Sequence, residues 1–160
     1  MGNLGDIDGQ KLQMVLLIGI PASGKSTFAT MHLSADYQRI SLDLLKKRAR
    51  EAKVFSDAIA KRRSVVIDNT NVTRAERRRF IEPARAAGYE VIGYFFQSVL
   101  SDCLQRNALR IGKARIPDVG VIARSNALEM PSGVFYGADI IGFSTPLKVE
   151  MRPRTVSCVP

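Results

Sequence analysis

The stretch Gly19-Ile20-Pro21-Ala22-Ser23-Gly24-Lys25-Ser26 fits the template G-x-x-x-x-G-K-[ST] and directly follows the apolar run Met14-Val15-Leu16-Leu17-Ile18. A strand that breaks into such a loop and then into a helix is a narrow prescription. Glycines at the first and sixth positions let the backbone curl until successive N–H groups converge on one anion. The helix that opens behind them turns the positive end of its dipole to the same point. Lys25 then reaches β- and γ-phosphates, and the Ser26 hydroxyl serves Mg²⁺, with Thr27 closing the segment. The template predicts a nucleoside triphosphate site, with ATP and Mg²⁺ as its cofactors.

The 160 residues suit one domain with a sizeable core. A hydrophobic content of 46% is that of an ordinary globular chain. Twenty-four Lys and Arg against fifteen Asp and Glu leave a formal charge of +9, which raises the local concentration of polyanionic partners. The two cysteines, Cys103 and Cys158, are too few and too far apart for a disulfide framework or a cysteine metal site. With His32 the single histidine, a Ser–His relay or a multi-His metal centre has no material. The amino-terminal residues lack a charged-then-apolar leader pattern, and no run approaches the length of a membrane span. The expectation is a cytoplasmic protein without membrane attachment, and nothing in the sequence calls for an obligate protein partner.

Short apolar runs alternate with longer helical stretches, predicting an α/β domain of three layers around a mainly parallel sheet. Expected strands are Met14 to Ile18, Tyr37 to Ser41, Ser64 to Asp68, Glu90 to Phe96 and Asp139 to Phe143. A helical region from Leu42 to Arg62 reads as one helix or as two, the second starting at Phe55-Ser56-Asp57. Thr73-Arg74-Ala75-Glu76 has the capping-box pattern, opening a helix that runs to Ala87 and stops at Gly88, bent at Pro83. Further helices are expected from Ser98 to about Arg110 and from Asp118 to Glu129, separated by a broken segment. The division is an amino-terminal arm over 1–12, a domain over 13–144 and a tail over 145–160.

Ligands of open parallel sheets sit beyond the carboxyl ends of the strands. Asp68 falls there, where a carboxylate can hold Mg²⁺ near Ser26, or simply cap the turn with Asn69. Asp43 follows the second strand, where it is either the first-turn acid of a helix or a base that accepts the proton of an attacking hydroxyl. Arg106, Arg110, Lys113 and Arg115 run into the broken segment, and cations on a short lid can neutralise charge on a transferring phosphoryl group. Arg106 and Arg110, four apart, share a helix face. A second cluster, Arg74, Arg77, Arg78, Arg79 and Arg85, either tracks a phosphate backbone or is a solvated face. Phe95 and Phe96 are expected in the core.

Four segments in this order, Gly19 through Phe28, Ile40-Ser41-Leu42-Asp43, Val66-Ile67-Asp68-Asn69-Thr70-Asn71, and Arg106-Asn107 through Ile116-Pro117, resemble the kinase domain of polynucleotide 5′-hydroxyl kinases, including the kinase half of polynucleotide kinase/phosphatase. The resemblance spans roughly Met14 to Phe143. It implies a P-loop kinase-like fold and transfer of ATP's γ-phosphate to a 5′-OH end of DNA or RNA. It further implies Lys25 and Ser26 on phosphates and Mg²⁺, Asp43 as general base, Asp68 or Asn69 orienting the metal and its waters, and Arg106 and Arg110 acting from the lid. Two features depart from the family. Ser41-Leu42-Asp43 lacks the arginine that precedes the acid, and Lys46 stands where an arginine often follows it. A lysine is a point charge rather than a bidentate fork, which alters the grip on an acceptor phosphate. The chain also leaves little room for the phosphatase or ligase module that often accompanies the kinase. Two other readings follow from the same residues: a kinase for a small-molecule hydroxyl, and a nucleotide-dependent switch without an acceptor.

Overall fold

The structure, a computed structural model, describes residues 11–97, 99–131, 134–137 and 147–150. The buried run Gln13–Ile18 forms β1 at the centre of a six-stranded sheet ordered β2-β3-β1-β4-β6-β5. Its neighbours are β3 (Val65–Ile67) and β4 (Glu90–Phe95), both parallel to it, with Val15 opposite Val66 and Ile92. β2 (Gln38–Ile40) lies parallel to β3 on the far side. β1, β3 and most of β4 are buried on both faces and read as continuous apolar runs rather than as alternations, whereas β2, at the sheet edge, exposes Arg39. β6 (Leu147–Glu150) pairs antiparallel with β4, and β5 (Val134–Gly137) with β6.

The strand periodicity divides the core in two. Met14, Leu16, Ile18, Val65, Ile67 and Phe95 face helices α3 (Arg48–Ala60) and α4 (Arg74–Ala86), which add Phe55, Ala58, Phe80 and Ala84. Val15, Leu17, Val66, Ile92 and Phe96 face α1 (Lys25–His32), through Ala29 and Leu33. Phe95 and Phe96 are both in the core. A third apolar cluster, with Ile20, Ala22, Val72, Cys103 and Val121, packs α5 (Leu100–Ala108) and α6 (Asp118–Asn126) against the loop after β1. Full burial of each leucine- or isoleucine-sized side chain contributes roughly 1.5–3 kcal/mol.

Elements differ from the sequence reading where tertiary contacts outweigh local signals. The region after β2 is two helices, α2 (Leu42–Leu45) and α3, but the break lies at Lys46, whose φ of 66° reverses the chain. Phe55 is buried in the middle of α3, and Asp57 pairs with Lys53 one turn earlier instead of capping a new helix. The Thr73–Glu76 capping box is present, with Glu76 N–H donating to Thr73 Oγ1 at 3.2 Å and Thr73 N–H to Glu76 Oε2 at 3.3 Å. Pro83 lies inside α4 on an exposed position, and its carbonyl still accepts from Ala87 N–H. α5 opens at Leu100 behind Val99, without a side-chain cap, and Ser98 lies outside the described residues. α6 ends at Asn126 because Glu129 is tied elsewhere: its N–H donates to Val72 O, and its carboxylate accepts from Arg74 N–H. The expected strand from Asp139 to Phe143 lies outside the described residues, and β6 brings four residues of the stretch read as a tail into the sheet.

Candidate active site

β1, β2, β3 and β4 end side by side at Ile18, Ile40, Ile67 and Phe95, so the loops that follow them converge. The loop after β1 is pinned to the one after β3 by Gly19 N–H donating to Thr70 O at 3.0 Å. A Cβ on Gly19 would stand 2.8 Å from Ser23 Oγ and 3.0 Å from Phe96 Cβ, which explains the first glycine of the template. Gly24, with φ of 95°, is the left-handed residue from which α1 starts. Lys25 is buried, and its ammonium donates to Ile20 O at 2.7 Å and Ser23 Oγ at 3.1 Å. Burial lowers its pKa to about 8, against the opposing pull of Asp68 and Cys103. Ser26 and Thr27 are exposed at the start of α1.

A cleft of about 140 Å³ opens above this loop, and Lys25, Ser26, Asp43, Asp68 and Arg110 all line it. Asp68 is buried at the end of β3, and its Oδ2 accepts from Arg39 Nε at 2.9 Å and Nη2 at 2.5 Å. Asp43 is exposed in the first turn of α2. That turn is capped from a distance: Leu42 N–H donates to Asn69 Oδ1 at 2.9 Å, since Ser41 at the N-cap uses no side-chain bond. Asn69 Nδ2 in turn donates to Glu51 Oε1 at 2.6 Å. Glu51 is wholly buried, and its Oε2 holds Arg48 Nη1 at 2.9 Å and faces Arg79 Nη2 at 4.0 Å. Arg48 lines the cleft beside Asp43, whereas Lys46 is exposed at the chain reversal between α2 and α3.

Across the cleft lies the segment between α5 and α6, the one read from the sequence as a short basic lid. Its base is closed by Asn107, wholly buried, whose Nδ2 donates to Ile116 O at 2.6 Å and whose Oδ1 accepts from Ile116 N–H at 3.1 Å. Between these points lie Arg110 and the 3₁₀ turn Gly112–Ala114. Arg110 reaches the cleft; Arg106 does not line it, and its Nη2 lies 3.3 Å from the buried Cys103 Sγ. The two arginines four residues apart are therefore divided: Arg110 lines the cleft and the exposed Arg106 does not. Lys113 and Arg115 are exposed along the lid. α6 is held by Arg124, which donates to Thr70 Oγ1 and to both oxygens of Glu76 at 2.8 and 3.0 Å. Partial burial opposes ionisation of Glu76, but Arg124 and the backbone at Thr73 hold its carboxyl below the usual range.

The second arginine cluster is not one continuous face. Arg77 is buried and donates to the carbonyls of Asn71, Val72 and Glu129, so it ties together the ends of three segments. Arg78 pairs with Glu82, and Arg79 stands over the Phe80 ring. Cys103 is a buried free thiol, Cys158 lies outside the described residues, and His32 is exposed at the end of α1 against Phe28.

The donor set suits a magnesium nucleotide. Magnesium keeps waters and takes one or two carboxylates together with phosphate oxygens, and the cleft offers the Ser26 hydroxyl and the Asp68 carboxylate. Among the described residues no group of three or more His, Cys, Asp or Glu side chains forms an all-protein metal cage. Nor, among them, is any helix long and apolar enough to cross a membrane.

Comparison with known proteins bears on the family and the fold. The chain is 30% identical over 124 residues to the "Bifunctional polynucleotide phosphatase/kinase" of Schizosaccharomyces pombe, an alignment covering 75% of this chain and 30% of that protein. In structure it is similar to a chain in "Structure of the Pnkp1/Rnl/Hen1 RNA repair complex", with a TM-score of 0.56, 20% identity, and coverage of 77% of this chain and 46% of that one. The gluconokinase from Sinorhizobium meliloti 1021 also has a TM-score of 0.56 at 20% identity, covering 78% of this chain and 79% of that one. These likenesses establish a P-loop kinase-like α/β fold. The family model described as "AAA domain" matches residues 14–123, and the chain belongs to that family.

Proposed function

We propose that this domain is an ATP- and Mg²⁺-dependent phosphotransferase that places the γ-phosphate on the 5′-hydroxyl end of a polynucleotide. The observation that carries the reading is the meeting of Asp43 with Lys25, Ser26, Asp68 and Arg110 in one cleft. A switch that only binds nucleotide has no use for an exposed carboxylate there. The S. pombe relative, named for polynucleotide phosphatase and kinase activities, supports the acceptor assignment, although the chain spans only 30% of that protein.

In this reading the loop from Gly19 to Thr27 binds the triphosphate, and Lys25 exchanges its bonds to Ile20 O and Ser23 Oγ for phosphate oxygens. Ser26 and Asp68 hold the metal, whose chemistry is to neutralise charge on the phosphates and align them. Asp43 accepts the proton of the attacking hydroxyl. Arg110 compensates the charge on the transferring group from the lid, with Arg106 in a supporting position behind it. Arg48 stands five residues after the base, fixed by a buried carboxylate, and takes the acceptor-phosphate role that the exposed Lys46 is not placed to fill. Arginine also supplies the bidentate fork that lysine lacks. The unit of function is the domain over 13–144 with its lid.

The test is ADP release from ATP with candidate acceptors. Stimulation by a 5′-OH oligonucleotide, and none by the 5′-phosphorylated strand, is expected. Stimulation by a sugar or nucleoside alone would move the acceptor to the small-molecule class.

A further inference from the structure

The amino ends of the strands, opposite the active site, carry a second and larger cleft of about 520 Å³. Lys11, Arg62 and Arg63 supply three cations to its lining against one carboxylate, Asp36, with Tyr37 and Gln38 between them. Gln38 Oε1 is buried and has no hydrogen-bond partner among the described residues. A buried amide oxygen without a donor is costly, and the exocyclic amino group of a nucleobase in the cleft is a donor it can take once the Gln38 side chain turns outward. The Tyr37 hydroxyl is already committed to Gln13 Oε1, which leaves its ring as the aromatic element of the lining.

The backbone that carries the two exposed cations at the end of α3 is fixed. Arg63 N–H donates to Ala58 O and Arg62 N–H to Ile59 O, both at 3.0 Å, the pattern that closes a helix through a left-handed residue. That residue is Arg62, with φ of 52°, where glycine would be the least strained choice. The other end of the same helix is Arg48, in the active-site cleft. α3 therefore joins the two clefts across its 13 residues, about 20 Å at the α-helical rise. Arg50, Lys53 and Lys61 are exposed along it, and Lys53 neutralises Asp57.

We infer that the rear cleft is a second binding site for the acceptor strand, taking a nucleotide of single-stranded nucleic acid downstream of the 5′ end held at Asp43, with α3 as the basic track between them. At the stacked rise of about 3.4 Å per nucleotide, the track spans about six nucleotides, and fewer if the strand is extended. The inference rests on the nucleic-acid acceptor of the preceding section.

Its test is the length dependence of binding by the full chain. Fluorescence anisotropy with 5′-OH single strands of about three and about twelve nucleotides should show the longer strand binding at least about tenfold tighter at low salt. In the R62G/R63Q variant that difference should collapse, while affinity and turnover with the short strand stay unchanged. Arg62→Gly suits the left-handed turn, so loss of fold does not confound the result. With about 0.7 of a log unit per single-strand phosphate contact, the salt slope for the long strand should fall by about 1.4. Equal affinity for both lengths in the unaltered chain, equal weakening of both in the variant, or an unchanged slope would each overturn the rear site. Length-dependent binding that is lost in R62G/R63Q, without phosphoryl transfer to any strand, would uphold the rear site and sink the proposed reaction.

Discussion

Replacing Glu51 with alanine should damage stability and catalysis together, although Glu51 touches no proposed reactant. The carboxylate is wholly buried, with Oε1 on the Asn69 amide at 2.6 Å and Oε2 on Arg48 at 2.9 Å. Its loss strands the Asn69 N–H, which costs about 1–3 kcal/mol. Breaking a fully buried ion pair costs about 3–5 kcal/mol, but the Arg48 side chain is 45% exposed and turns to water, so its share lies well below that range. About 3 kcal/mol in all is expected, a fall in Tm of about 6–12 °C for a domain of this size. Glu51→Gln keeps an acceptor for Asn69 and loses only the charge, and should cost about 1 kcal/mol. Urea unfolding of the three proteins gives these differences directly. At a temperature where all are folded, E51A should bind ATP normally yet turn over slowly, because Asn69 no longer fixes the turn that carries Asp43. An E51A stability within about 0.5 kcal/mol of the unaltered chain, the range of surface substitutions, would refute the reasoning.

Three further outcomes follow from the geometry. Asn107→Ala should leave ATP binding near normal but lower turnover about 10- to 100-fold, because Ile116 is no longer clasped and Arg110 loses its placement; steady-state kinetics with separate nucleotide-binding measurements would show the split. The folded pKa of Lys25, about 8, lies below its ordinary 10.5, so the folded state binds fewer protons there than the unfolded chain. The nucleotide-free protein should therefore gain stability as pH rises from about 8 towards 10.5, while ATP affinity falls over the same range, and Lys25→Met should flatten both profiles in denaturation and binding titrations. Glu76 gives a slope of the same sign in the acid range: held below its usual range mainly by Arg124, against the opposing effect of burial, it gives stability that is present above the ordinary carboxylate pKa and lost in acid, so Arg124→Met should reduce the acid sensitivity of unfolding.

What the sequence reveals is what local chemistry decides. The loop from Gly19 to Ser26 needs its glycines for contacts within a few residues, and the Thr73–Glu76 capping box spans a single turn, so both are legible in order along the chain. The groups that organise the site come from afar. Asn69 caps Leu42 from 27 positions away, and Glu51 reads as one more acid on a helix until α3 packs it beneath the site. Arg77, patterned like a surface cation, is internal because three carbonyls at segment ends need a donor. Spacing four apart placed Arg106 with Arg110, yet the helix ends at Ala108, and the residues beyond it turn Arg110 alone into the cleft. The approach of Arg48 to Asp43 depends on the reversal at Lys46, where a lysine adopts a backbone conformation that sequence patterns assign to glycine or asparagine.

The most direct test of the central claim is transfer of radiolabelled γ-phosphate from ATP to a 5′-OH oligonucleotide, followed by nuclease digestion to locate the label. Label is expected on the 5′-terminal nucleotide only, none on a 5′-phosphorylated strand, with a loss of at least about 100-fold in rate in an Asp43→Asn protein that still binds ATP. Transfer at an undiminished rate by Asp43→Asn, or no label on any DNA or RNA strand, would contradict it.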